Sequence, residues 1–452
     1  SKHFEPGTLI PYMNKLGMEF GADSNAHTNH TETVYKLFMP DAKDETVEKA
    51  LTIFSDFACG LHLSAEEIDK ERHIILEESR SRKSAQERIR REWMKKVFAG
   101  TQLAVHDIIG DEKQIEKFPR AEFEQYWNSW YRPDQMTLIV IGEIKADKVI
   151  PLAQKHLGQF KTRGKAQPNL KAGIKPVEKS RSFVLTDKEQ VMGQLELLRI
   201  TPVRPPMKTY ADYRLNEIEN IGTWIVGRRL EEMVNKGSAS FRAAFTNVTS
   251  LANECLLPMS IAIGEPKEWN KMLDQVVMEL HRAIEFGFTK REMKLAAQQL
   301  IADAEREVET ESTRDAQTVV AMLAYYVGEE HPILSAQQRL DLLKKILAEV
   351  SADQVHAMFK ENFDGKDYTV VFKSPMASDK FTPPTEEDLA TATAAAWARK
   401  PEAPKDEKDV ESLLAKAPEP GKIVEQRTDP DLKITTATLS NGVICHHRYM
   451  DY

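Results

Sequence analysis

Stretches at helical spacing, runs rich in β-branched and aromatic residues, and unpatterned stretches succeed one another along this chain. Thr31 to Pro40 (TETVYKLFMP) is rich in β-branched and aromatic residues and predicts a strand. Asp44 to Leu61 has apolar residues at helical spacing. Leu63 to Arg82 (LSAEEIDKERHIILEESRSR) opens on Ser64 with Glu67 three residues on, a capping box that starts a helix. On a wheel of about 100° per residue, Ile68, Ile74 and Ile75 fall on one side and Asp69, Lys70, His73, Glu77 and Arg80 on the other. Glu71 and Glu78 join the apolar stripe, two turns apart, which predicts two carboxylates turned toward a core. Phe118 to Ile144 reads as helix, Pro-bearing turn and the strand MTLIVIG, and ADKVIPLAQKHLGQF closes the region as a helix.

The same order returns between Ser182 and Lys373. SFVLTD and ECLLPMSIAIG read as strands, a helix ends at Gly287, and another opens on Thr289 with Glu292 as its capping partner. SADQVHAMFKENFDGKDYTVVFK is again helix, turn, strand. Aligning the two capped helices matches Ser64 with Thr289, Ile68 with Met293 and Ile75 with Leu300. Ala296 and Asp303 stand where the first copy has Glu71 and Glu78. This points to a duplication in which one copy carries the inward carboxylates.

From about Ser374 to Pro430, Pro, Ala, Glu and Lys dominate, which predicts an extended linker with a short helix around Val410 to Lys416. LKITTATLSNGVICHHRYMDY then reads as strand, Asn441-Gly442 turn, strand. A hairpin is too small to fold alone, so it predicts the opening of a third unit in a longer polypeptide. The fold class is therefore α+β. Two homologous domains, 1–165 and 175–375, each have an antiparallel-rich mixed sheet with helices on one face. A linker, 376–430, and the first hairpin of a third domain, 431–452, follow.

Composition changes this picture little. The 452 residues exceed one ordinary core, and 41% hydrophobic with 29% charged is normal for a soluble protein. A net charge of -8 argues against a nucleic-acid partner. Arg80 to Lys96 is basic and reads as a solvated helix face. Cys59, Cys255 and Cys445 lie too far apart for a disulfide framework or a Cys-based zinc site. No apolar run approaches the roughly 20 residues of a membrane span.

An unpaired carboxylate in a core is costly, so inward glutamates are protonated, ion-paired or metal-bound. Arg or His partners would satisfy Glu71 and Glu78 structurally; a metal or catalytic role is the alternative. His27 and His30, three apart in SNAHTNHTETVY, point to opposite faces of a strand and do not share a metal there. The adjacent histidines of CHHR diverge in the same way.

These residues carry a family resemblance. ERHIILEE resembles the distal-glutamate helix of the insulinase/pitrilysin family of zinc metallopeptidases, the inverzincins. LGMEFGADSNAHTNHTETVYKLFMP is similar to the strand pair that precedes it in that family. WYRPDQMTLIVIGEI looks like the last strand of the family's first domain, and TATLSNGVICHH like the opening strand of a family unit. The resemblance implies a zinc endopeptidase that degrades peptides or short unfolded polypeptides in a chamber of two halves. It implies that Glu78 is a zinc ligand and that Glu71 has a catalytic supporting role beside it. It also implies that Asn25, Ala26, His27 and Thr28 bind substrate as an edge strand. By analogy with the family, a periplasmic location is preferred over a cytoplasmic one.

One departure is large. The family's inverted His-x-x-Glu-His motif, which supplies two histidine ligands and the general base, occurs nowhere in this sequence. In the family it stands just before the segment matching SKHFEPGTL. The expectation is a central fragment, inactive and zinc-free as given, whose partners are peptides and the remaining C-terminal half of the same polypeptide, with a homodimer left open. The alternatives are a non-catalytic family member that binds peptides or serves assembly, and a purely structural scaffold if Glu71 and Glu78 prove exposed.

Overall fold

The computed structural model describes residues 1–169, 171–175, 177–404, 414, 416 and 418–450. The chain divides into two compact units, Ser1–Pro404 and Lys405–Tyr452.

The larger unit begins with α1 (Leu9–Lys15) and a two-stranded antiparallel sheet, β1 (Ser24–Thr28) and β2 (Thr33–Leu37). α2 (Asp44–Ser55) runs into a π-helical turn, Asp56–Gly60, on which the first residues are tied. Buried Asp56 accepts the His3 backbone N–H (2.8 Å) and meets His3 Nδ1 (2.7 Å). α3 (Ala65–Ser81), α4 (Ala85–Val97), α5 (Gln102–Val105), α6 (Glu112–Ile115), α7 (Arg120–Trp130) and α8 (Ala146–Leu157) follow. The expected strand MTLIVIG is not formed among the described residues. Met136 is extended, but 136–142 belongs to no ladder, and Met136, Leu138, Val140 and Ile141 are exposed. A strand is defined by its neighbours, and β-propensity cannot supply one.

The second region opens with β3 (Arg181–Asp187), β4 (Gly193–Leu198) and β5 (Thr201–Pro202). α9 (Tyr210–Asn235), β6 (Ala243–Leu251), β7 (Cys255–Gly264), α10 (Trp269–Phe286), α11 (Lys290–Thr310), α12 (Ala316–Gly328), α13 (Ala336–Glu349), α14 (Ala352–Phe363) and β8 (Thr369–Pro375) complete it. Its six-stranded sheet has the order β3-β8-β4-β7-β5, with β6 also on β7, and only the β3–β8 pair is parallel. Because side chains alternate along a strand, the sheet has two apolar faces. Leu195, Leu197, Val370 and Phe372 pack with α9, α10 and α14. Leu185, Leu198, Ile200, Leu257 and Val371 pack with Ile89, Met94, Val97 and Phe98 of the α4 segment and Leu103 of α5. The basic stretch Arg80 to Lys96, read from its charges as a solvated face, thus has one side of its α4 part in this second core.

The stretch read as an extended linker contains α15 (Glu386–Ala398), capped by Thr385 and Asp388 and seated with Leu389 and Ala396 buried. The short helix expected around Val410 to Lys416 falls on residues of which only 414 and 416 are described. The smaller unit is a three-stranded antiparallel sheet, β11-β10-β9, formed by β9 (Ile423–Asp429), β10 (Ile434–Leu439) and β11 (Ile444–His447). The Asn441-Gly442 turn joins β10 to β11 as the sequence predicts, with Gly442 at φ +85°.

Candidate functional site

α3 places Glu71 and Glu78 differently from the expectation. Its covered side carries Ile68, Leu76 and Ser79, with Arg72 beside them, which on a wheel lies about a quarter turn from the predicted stripe. Glu71 is exposed, Ile74 is 59% exposed, and the Glu78 side chain is 42% exposed and paired with Arg82. The two carboxylates share the outward face with Ile74 and do not point into a core. The cause is Arg72, a cation on the covered side whose guanidinium reaches the carbonyls of Ile115 and Phe118 and lies over the Phe123 ring. Its stem packs while its head finds acceptors, so hydrophobicity alone miscentres the helix. Ser79 adds a second tether by donating to Glu112 (2.9 Å).

The strand residues Asn25 to Thr28 lie on β1, whose only described ladder partner is β2. The flanking bonds fix which way each backbone group points. Phe38 N–H donates to Asp23 O (2.7 Å) and Asn29 N–H to Glu32 O (3.0 Å). Pairs alternate along an antiparallel ladder, so Asn25 and His27 are bonded to β2, while Ala26 and Thr28 direct N–H and C=O to the open edge. Ala26 N–H meets the Asn25 Oδ1 of its own strand (2.8 Å), and Asn25 Nδ2 donates to Gly21 O (3.0 Å). Asn25 to Thr28 are all exposed. Sequence reading did not separate the inward from the outward pairs of this strand; only the register does.

Two groupings escaped the sequence reading. Tyr35 of β2 meets Tyr131 through their hydroxyls (2.5 Å), and burial pushes the Tyr131 phenol far above its ordinary range. His30, at the hairpin turn, has its pKa lowered by burial and by Arg90, which favours a neutral imidazole. Neither partner is near in sequence, so no local signal announced them. The Glu78–Arg82 pair did have one, its i,i+4 spacing.

Family models match the chain twice. Residues 1–108 match the insulinase (peptidase family M16) model, and residues 117–300 match the peptidase M16 inactive domain.

The chain belongs to the insulinase family of peptidases.

Among its insulinase-family relatives, a zinc protease PQQL-like protein of Arabidopsis thaliana is 23% identical, over 98% of this chain and 43% of the relative. A probable zinc protease PqqL of Haemophilus influenzae is 23% identical, over 83% and 40%. The crystal structure of the periplasmic protease PqqL from Escherichia coli superposes with a TM-score of 0.83 at 19% identity, covering 99% of this chain and 49% of that one. The chain thus spans less than half the length of the curated relatives named here. The names of the two curated relatives carry zinc, and the residues present can be tested against it. Catalytic zinc takes three protein ligands. Glu78 is paired with Arg82, and no group of three His, Cys, Asp or Glu suited to a metal occurs among the described residues. The described residues therefore do not fit a complete zinc site.

Proposed function

We propose that this chain is the peptide-binding portion of an insulinase-family zinc endopeptidase, and that it takes an extended peptide as an added strand on β1. The observation that carries this reading is the edge at Ala26 and Thr28, exposed and, among the described residues, paired on one side only. Main-chain hydrogen bonds are the same for every peptide, so strand addition suits an enzyme of loose sequence preference. The incoming strand would take the Ala26 and Thr28 backbone groups, with Asn25 Oδ1 giving up the Ala26 N–H it holds.

Hydrolysis of peptides or short unfolded polypeptides, in a chamber of two halves, belongs in this reading to the whole protein, in the periplasm. Glu78 would contribute one metal-facing carboxylate after leaving Arg82, and Glu71 would support it from the same face. One carboxylate does not hold zinc against water, so the chain by itself is expected to retain no stoichiometric zinc after dialysis and to cleave no peptide. One tightly held zinc per chain, lost in Glu78→Gln, would contradict this. Two homologous domains at 1–165 and 175–375 complete the proposal.

The test of binding is a titration of a fluorescent extended peptide into the chain. Ala26→Pro removes an edge donor and should weaken binding at least about tenfold, the loss of one or two hydrogen bonds. His27→Ala, whose backbone faces β2, should bind nearly as the parent does. Equal affinity in a folded Ala26→Pro protein would end the strand-addition reading. A non-catalytic peptide-binding subunit is the second reading, served equally by the β1 edge. Zinc retained and lost with Glu78 would remove it.

A further inference from the structure

We infer that the second region positions α3, and so Glu71 and Glu78, through the α4–α5 pair, with Trp93, Arg88 and Asp107 as positioning residues. The inference rests on packing and not on peptide binding, so either can fail without the other.

α3 has few apolar attachments of its own; its buried residues are Ile68, Leu76 and Ser79. Its C-terminal end passes to α4 through Arg82, Lys83 and Ser84 alone. Its flank is tethered by the segment after α5, where Arg72 reaches Ile115 O and Phe118 O and Ser79 reaches Glu112. Apart from its N-terminal connection to the Asp56–Gly60 turn and the contact of Arg72 with Phe123 of α7, these supports of α3 leave the same short pair of helices. That pair is closed at its base by charge. Arg90 and Arg91 each bridge Glu87 (2.8 and 2.9 Å) and Asp107 (3.1 and 2.8 Å), tying α4 to a residue two places beyond α5.

The pair is in turn bolted to the second sheet. Arg88 grips Asp187 with two bonds, Nε to Oδ2 at 2.6 Å and Nη2 to Oδ1 at 2.8 Å. Trp93 Nε1 donates to Glu196 Oε2 at 2.7 Å, and Glu196 is buried in β4, where Gln194 and Lys373 also meet it. Arg181 Nη2 donates to Val97 O (3.1 Å). Met94, Val97, Phe98 and Leu103 lie in the same core as Leu198, Leu257 and Val371. Breaking one member of a buried charged network leaves the others unsatisfied, which is costly. The α4–α5 pair thus moves with the second sheet, and α3 is slung from it.

Amide hydrogen exchange on the full chain tests this. Trp93→Phe keeps a ring and removes the donor; Asp107→Asn removes the charge that closes the pair. Each should speed exchange in 74–81 of α3 and in 108–118 by about tenfold, the loss of one charge-assisted bond. Exchange in β1–β2 should stay as it was. Asp107→Glu should restore slow exchange in part. Leu273→Ala, on the opposite face of the second sheet, should speed α9 and α10 and leave α3 unchanged. Unchanged α3 exchange in folded Trp93→Phe and Asp107→Asn proteins, with α4 loosened, would overturn the inference. So would α3 exchange that rises equally in Leu273→Ala.

Discussion

Ser64 and Thr289 each stand one residue before a helix, each with a glutamate three positions on. At Thr289 the capping box closes: its hydroxyl accepts the Glu292 N–H (3.2 Å) and Glu292 accepts the Thr289 N–H (2.8 Å). At Ser64 the side chain makes no cap bond, and Glu67 turns to Lys70 (2.8 Å). Seven residues further along, Ala296 is fully buried in the core of the second region, while Glu71 is exposed. α11 sets Ala296, with Met293 and Leu300 beside it, on the core of the second region. α3 buries Ile68 and Leu76 and adds polar tethers at Arg72 and Ser79. A helix held by tethers on one side keeps its other face free, and that face carries Glu71, Ile74 and Glu78.

The comparison can be broken most forcefully at the matched position. Ala296→Glu would bury a carboxylate with no partner and should cost about 3 kcal/mol or more. Glu71→Ala should change stability by less than about 0.5 kcal/mol, as exposed substitutions do. Urea unfolding of both variants is the check; similar losses would mean that α3 is covered as α11 is.

The caps give a smaller contrast. Thr289→Ala removes a bonded cap and should cost about 1 kcal/mol. Ser64→Ala removes a hydroxyl that makes no cap bond and should cost at most about 0.3 kcal/mol. A Ser64→Ala loss as large as that of Thr289→Ala, in the same thermal or urea measurement, would show that α3 uses its cap after all.

The smallest expected effect is a change in pH dependence. Hydrogen bonds from Arg88, first, and from the Glu189 backbone hold the Asp187 carboxyl at about 2, below its ordinary 3.8. A carboxylate lowered on folding stabilises the fold above its unfolded pKa, and this contribution is lost as pH falls from about 4 toward about 2. Arg88→Ala should therefore show a shallower fall in melting temperature over that window than the parent. Equal slopes would mean that the pair between α4 and β3 adds nothing pH-dependent.

Much of the second region was legible because its signals are local. β3, β7 and β8 are short runs with a buried face, α10 ends at Gly287 with φ +67°, and α11 and α14 open on capping boxes. α15 was hidden by its Pro-, Ala- and Glu-rich setting, although Thr385 and Asp388 form a box of the same kind. The first region was harder to read. Its apolar segment 136–142 finds no ladder partner among the described residues, and pairing is not a local property. The face of α3 was misjudged because Arg72 counts as polar yet sits on the covered side, while Ile74 counts as apolar yet faces out. The edge strand at Asn25 to Thr28 was legible as a strand. Which of its backbone groups are open was not, since that depends on register with β2.

The central claim is that peptides bind at the β1 edge of the first region and not on the larger sheet of the second. Residue-resolved amide hydrogen exchange of the chain with and without a saturating extended peptide tests it most directly. The account predicts protection at Thr28 and Ala26, with the β3 and β6 edges unchanged. Protection at β3 or β6, with Ala26 and Thr28 exchanging as in the free chain, would contradict it.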